Sequence, residues 1–332
     1  MNIFLKSKLN KTIRKILSIV IPLGIGVLII WWALSTLTPS DKIEIKKAFL
    51  SADYFWIGIS VVIALLSHLS RAYRWKYLLQ PLGYKPRFIN SVFAIFISYL
   101  VNLAIPRAGE VVRATTISKY EAIPFEKVFG TIVAERVVDM VILIGIIIGA
   151  FFFQVSFFKS LFLQKIPDQP LLLISLGILA VSFGLAFLYY IGRSKHRFFK
   201  KIRRFFNGLW EGMTSIWTME HRGAFIAHSL FIWGMYLLMF YTASLSMEST
   251  SHLSFGAIIS GFIGGTFGVT ANGGLGTFPL AVKEVLSLYG VNANEGWAFG
   301  WLLWSTETIL VLVLGVISLI GIPLYNKKFF KA

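Results

Sequence analysis

The sequence predicts an all-α, polytopic integral membrane protein, and three observations carry that prediction. Of the 332 residues, 56% are hydrophobic and only 14% are charged, where soluble proteins run at about 45–50% and about 25%. Mean hydropathy is +0.74, and aromatic residues reach 16% with 30 Phe and 10 Trp. Several apolar runs reach the roughly 20 residues that an α-helix needs to cross hydrocarbon. Length alone would suggest about two soluble domains. The apolar excess replaces that expectation with a single membrane-embedded domain over residues 1–332.

Composition also excludes chemistries. There is no cysteine, so disulfides, thiolate metal sites and a cysteine nucleophile are excluded. His68, His196, His221, His228 and His252 form no close metal-ligand spacing, and no glycine-rich nucleotide loop occurs. Neither a metal nor a cofactor is therefore expected. The net charge of +17 fits basic segments flanking spans and facing anionic lipid, not nucleic acid.

Six full spans are expected, at residues 16–37, 54–70, 125–153, 171–192, 224–246 and 298–325. The first follows a basic segment, residues 1–15, but its apolar run is too long and lacks a small-residue cleavage site, so it reads as a retained anchor. Two further apolar stretches break off early. Residues 88–105 run into Pro106, and residues 255–271 run into a glycine-rich turn.

Loop charge decides how those two stretches lie. If all eight cross, 15 basic residues fall inside and 16 outside, and residues 193–204, with seven basic residues in twelve, are exported. That violates the positive-inside bias. If the two odd stretches dip in and turn back, the split becomes 25 inside and 6 outside, with both termini and the basic loop 193–222 cytoplasmic. The expectation is six spans plus two opposed re-entrant helical hairpins, broken by Pro106 and Gly109 in one and by Gly273, Gly274, Gly276 and Pro279 in the other. Irregular backbone at membrane depth must be sheltered by protein or a water-filled cavity, and such broken helices in corresponding halves point to a transport site.

Charged residues in apolar surroundings mark the candidate site. Arg107, Glu110 and Arg113 recur at i, i+3 spacing and would share one arc of a helix. Glu135, Arg136 and Asp139 lie inside the span at 125–153 and would share one side of it. A charge at the bilayer centre costs at least ~2.5–3.5 kcal/mol, so these three must face protein or water. They could form a purely architectural ion network or a polar cavity for a charged headgroup. In the second reading Arg113 and Arg136 stand opposite phosphate while Glu110, Glu135 and Asp139 orient them.

In the second hairpin, Gly273, Gly274 and Gly276 expose backbone N–H groups ahead of a helix carrying Lys283 and Glu284. Upstream, Gly261 with Gly265 and Gly264 with Gly268 have the four-residue spacing of close helix packing. Glu307, inside the last span, is left to pair with Lys283 or Arg136, or to be protonated. Arg71, Arg74 and Lys76 read as snorkelling cations at the end of a span. Most Trp residues, Trp75 and Trp301 among them, read as interfacial aromatics. Residues 193–206, alternating basic and Phe, read as an amphipathic surface helix.

Pro106-Arg-Ala-Gly-Glu-Val-Val-Arg113, Ile123-Pro124, Ala134-Glu-Arg-Val-Val-Asp139 and Gly273-Gly-Leu-Gly276 together resemble the lysylphosphatidylglycerol synthase transmembrane-region family of flippase-like membrane proteins. The resemblance runs from the first span to the last. It implies a multi-pass plasma (inner) membrane domain that moves a lipid headgroup between leaflets, and it marks Glu110, Arg113, Glu135, Arg136, Asp139, Gly273 and Gly274. Bifunctional members carry a soluble C-terminal aminoacyl-transferase domain. This sequence reaches Ala332 shortly after its last span, so the expectation is the flippase half alone, a transporter and not an enzyme. Its partner would be a membrane lipid, either an anionic or modified phospholipid or a lipid-linked sugar. A homo-oligomer or an envelope-biosynthesis partner stays open. Two competitors remain: an integral-membrane transferase with Glu135 or Asp139 as base, and a non-transporting scaffold for an envelope enzyme.

Overall fold

A computed structural model of the chain describes residues 35, 38–105, 107–154 and 219–327, and among them every regular element is helical. In chain order these are α1 (Pro39–Ser51), α2 (Tyr54–Leu79) with a 3₁₀ turn at Gln80–Leu82, α3 (Phe88–Ala104), α4 (Ala108–Glu121) and α5 (Phe125–Phe153). After a gap come α6 (Arg222–Ser244), the single turn α7 (Glu248–Ser251), α8 (Phe255–Asn272), α9 (Thr277–Ser287) and α10 (Ala293–Asn326). The spans expected at 16–37 and 171–192, the basic segment 1–15 and the loop 193–222 lie almost wholly outside the described residues.

Four of these helical segments are long and apolar enough to cross a membrane: Tyr54–Leu82, Phe125–Phe153, Arg222–Ser244 and Ala293–Asn326. Two shorter apolar stretches, Phe88–Leu103 and Phe255–Thr270, are those that the sequence broke at Pro106 and Gly273. Local chemistry sets the ends. The Asp53 carboxylate accepts from the Phe55 amide, Ser254 from Ala257, and Asn292 from Asn294, each satisfying an orphan donor of a first helical turn. Gly83, in the left-handed region at φ 85°, turns the chain after α2 and its 3₁₀ extension.

Two helices outrun their apolar stretches. α2 continues past residue 70 to Leu79, and α10 begins at Ala293 instead of near residue 298. In α2 the added turns carry polar side chains that are buried, so tertiary contacts and not hydropathy set its length.

Contacts divide the chain into a larger unit, Met1–Ile132 with Gly223–Ala332, and a smaller one, Val133–Arg222. The larger unit is organised by α10, whose 34 residues extend about 50 Å at 1.5 Å rise. The N-terminal half of α10 holds the α8–α9 hairpin: Gly296 faces Lys283, and Gly300 meets the Pro279 backbone, where an added Cβ would lie 2.6 Å from its Cα. The C-terminal half holds the α3–α4 hairpin: Gly315 lies against Leu100 and the Phe96 carbonyl, and Gly321 against the Phe93 ring. Both hairpins therefore lie along one mast from opposite ends. The opposite flank of α10 shows Ile309, Val313 and Ile317, 56%, 47% and 53% exposed at four-residue intervals, an apolar stripe suited to lipid.

Of the smaller unit, the described part is the continuation of α5 to Gln154. It buries Glu135, Val137 and Asp139 and exposes Met140, Val141, Ile144, Ile148 and Phe151 to Phe153.

Candidate functional site

The tips of the two hairpins meet. Gly273, which ends α8, stands so close to Asn102 near the end of α3 that a Cβ there would be 3.4 Å from the Asn102 carbonyl oxygen. The Trp304 indole N–H donates to the Gly273 carbonyl at 3.2 Å, and Gly274 lies against the same ring. Trp304 is eleven residues from the start of α10, and Gly315, beside Leu100, is eleven from its end. The junction thus falls about the middle of the longest membrane-length helix.

Each tip solves its backbone problem differently. The second uses Gly273, Gly274 and Gly276 at φ 75°, 88° and 73°, conformations that glycine adopts freely. The first places Arg107 at φ 69°. A non-glycine residue there costs about 1–2 kcal/mol. The turn is held by Asn102, whose side-chain oxygen accepts the Gly109 amide at 2.7 Å. Gly109 itself packs directly on the Ser98 carbonyl.

Arg107 is exposed and makes no ion pair with another described residue. It precedes α4 and does not join the arc expected for Arg107, Glu110 and Arg113. The left-handed turn at Arg107 takes it off the helix. Glu110 is half-buried, and Arg113 is 2% exposed.

Arg113 lies face-on over Trp75, its guanidinium carbon 3.8 Å from the ring centroid, a cation–π contact. The Trp75 indole N–H in turn donates to the Thr131 hydroxyl at 2.9 Å. Trp75 is fully buried, so it is a structural post under Arg113 and not an interfacial aromatic; Trp301, 3% exposed, is interior as well.

A polar face of α2 adds what hydropathy conceals. His68 Nε2 and Glu307 Oε1 are 2.8 Å apart, the Ser70 hydroxyl and His228 Nδ1 2.8 Å, and Arg74 donates to the Ser229 hydroxyl at 2.8 Å while lying over Phe225. Arg71 and Arg74 are 4% and 0% exposed. Neither snorkels: Arg74 is held inside the bundle by Ser229 and Phe225 of α6. Glu307 has as its partner a histidine 239 positions away, beyond the reach of local sequence. Lys283 sits instead 3.5 Å from Glu284, with its ammonium over Trp297.

On α5, Val128, Thr131, Ile132, Glu135 and Asp139 form one buried face at helical spacing, while Arg136 is exposed. Of the trio expected on one side, Glu135 and Asp139 are buried and Arg136 is exposed, beside a buried arc that also takes in Ala134 and Val137. At the far end of the α3–α4 hairpin, Arg87 donates to Glu121 at 3.0 Å, Asn90 donates to Glu121, and Asn90 and Asn326 exchange amide hydrogen bonds. This tie fixes the base of the hairpin to the C-terminal end of α10. Among the described residues, no three His, Asp or Glu side chains gather as a metal would require.

With this geometry in view, comparison identifies the chain. Residues 19–315 match the family described as "Lysylphosphatidylglycerol synthase TM region". The chain belongs to that family. It is 24% identical over 195 residues to "UPF0104 membrane protein PH1989" of Pyrococcus horikoshii, covering 57% of this chain and 56% of that one. It is 30% identical over 124 residues to "UPF0104 membrane protein MJ1595" of Methanocaldococcus jannaschii, covering 36% of each. A third stretch, 107 residues, is 33% identical to "Glycosyltransferase AglD" of Haloferax volcanii and covers 32% of this chain but 17% of that protein. The matched stretches thus span about half or less of each relative. No solved structure matches. As a member of this membrane family with several apolar helices, the protein is a multi-pass membrane protein.

Proposed function

We propose that this protein moves a lipid headgroup between membrane leaflets, with the α3–α4 and α8–α9 hairpins re-entering the bilayer from opposite faces beside six full spans. The carrying observation is the junction at mid-length of α10, where two helix-breaking tips meet and an exposed arginine is held in a strained turn. Strain of this kind, about 1–3 kcal/mol, persists where function uses it. The opposed packing along α10 and the basic residues near the base of the first hairpin favour cytoplasmic entry for α3–α4 and outer entry for α8–α9.

In this reading Arg107 is the guanidinium presented to phosphate, with the backbone amides around Gly276 and the N-terminus of α9 as a second anion contact. Arg113, held on Trp75, adds positive potential, and Glu110 at the half-buried edge orients it. Acyl chains stay in hydrocarbon against the exposed apolar faces.

The test is reconstitution of the full chain in phosphatidylglycerol vesicles containing acyl-labelled fluorescent phospholipids, with dithionite bleaching of the outer leaflet. Protein-dependent bleaching of the inner pool is expected, and Arg107→Gln should slow it about ten- to hundredfold, the worth of a charge-assisted hydrogen bond. Unchanged movement in that variant would refute the assignment of the tip.

The likeness to a protein named a glycosyltransferase supports one second reading, in which the domain serves transfer onto a lipid-linked sugar acceptor. Product formed by purified protein from a soluble sugar donor would favour it; a transporter makes none.

A further inference from the structure

The His68–Glu307 pair is unused by the headgroup contacts above, yet it occupies their level. Glu307 lies three residues beyond Trp304, which bonds the tip of the α8–α9 hairpin, and eight before Gly315, which touches the α3–α4 hairpin. Its side chain is 31% exposed, while that of His68 is 5% exposed. Phe96 and Tyr99 of α3 and Tyr236 of α6 enclose the imidazole, with ring centroids 5.6, 5.0 and 6.3 Å away. The other ring nitrogen, Nδ1, is buried with no hydrogen-bond partner among the described residues.

That asymmetry matters chemically. One ring nitrogen is tied to Glu307, and the other is left buried where polar groups are ordinarily satisfied. Glu307, in contrast, is only partly enclosed, with one carboxylate oxygen bonded to the ring. The titratable groups that face the imidazole are Tyr99 from α3 and Tyr236 from α6, and Arg71 lies buried one turn along α2. Intramembrane carboxylates and histidines in such positions serve as proton relays in transporters.

We infer that His68 and Glu307 form a proton-binding site at the junction of the hairpin tips, through which headgroup movement is coupled to the transmembrane proton gradient. The inference rests on the transport reading. A proton enters from water on one side, binds the pair, and leaves to water on the other as the junction changes the face it opens to. The negative pair accepts the cationic part of a headgroup, and protonation releases it, so proton and headgroup exchange.

Vesicles containing acyl-labelled phosphatidylethanolamine test this, with leaflet distribution read at steady state under an imposed pH gradient. A one-for-one exchange predicts a distribution shifted about tenfold per pH unit, abolished by nigericin. Glu307→Gln should return the distribution to unity, and Glu307→Asp should restore the shift. Infrared difference spectra of purified protein should show a carboxyl band on acidification that Glu307→Gln lacks, a readout independent of transport. Lipid that equilibrates in wild type without regard to the gradient overturns the coupling and leaves transport standing. Wild type that moves no lipid overturns the transport reading itself. Should Glu307→Gln fail to fold, the gradient response of wild type and its collapse with nigericin decide.

Discussion

The two hairpins pack on the same helix but are built on opposite principles. α8–α9 closes on glycines: Gly264 faces Val285, Gly265 faces Phe278, and Gly268 meets the backbone of Thr277 and Phe278, with the Thr277 hydroxyl donating to the Gly268 carbonyl. Its tip is uncharged and relaxed. α3–α4 has a single close glycine contact, at Gly109, and carries Arg107, Glu110 and Arg113 in or near its turn. One hairpin is a tightly packed wedge, and the other holds charge in a strained turn. Where a relaxed solution is available at one tip, strain at the other marks the residue whose side chain matters more than its backbone.

The largest effect should come from the tightest backbone contacts. Gly109→Ala drives a methyl group into the Ser98 carbonyl and to 2.6 Å from the Asn102 side-chain oxygen. A loss of about 3 kcal/mol is expected, seen as collapse of the monodisperse peak in detergent chromatography. Gly268→Ala, at 2.7 Å from the Thr277 carbonyl, should lose about 2 kcal/mol by thermal unfolding, so both hairpins break, the charged one more.

Next comes the contrast of the turns. Gly276→Ala meets no atom within 4 Å but must hold φ 73°, so strain alone should cost about 1 kcal/mol. Arg107→Gly should do the reverse, stabilising by about 1 kcal/mol while slowing the proposed headgroup movement as Arg107→Gln does. If Arg107→Gly were less stable than wild type, the strained turn would have no functional meaning. The smallest effects belong to the indole posts. Trp75→Phe keeps a ring under Arg113 but loses the bond to Thr131, costing about 1 kcal/mol, and Trp304→Phe, losing the longer bond to Gly273, about 0.5 kcal/mol. Equal midpoint shifts for the two would remove this difference between hairpins.

The sequence made much of this legible. Helix-breaking residues at Pro106 and Gly273 located both turns, and the spacing of Gly261, Gly264, Gly265 and Gly268 announced close packing, which the structure displays against Phe240, Val285 and Phe278. Periodicity is a property of one helix, and such signals survive in a string of letters. What failed were inferences about direction. Arg71 and Arg74 stand near the end of an apolar run, where snorkelling is the ordinary outcome, but α2 continues and turns them inward. Arg136 lies within 100° of both Glu135 and Asp139, yet it is exposed while they are buried, because exposure depends on which neighbour each side chain meets. His68 carried no local signal at all, since its partner lies 239 residues away.

The sequence by itself determined that this chain lives in a membrane, that its described helices are separated where they are, and which family it joins, because hydropathy, backbone-breaking residues and motif spacing are local quantities. Only the tertiary structure decided that both hairpins lie on α10 from opposite ends, that Arg107 alone of the first charged trio is exposed, and that Glu307 finds His68. Those outcomes depend on which helix face meets which neighbour, and burial of a charge becomes tolerable only when a distant chain segment supplies its partner.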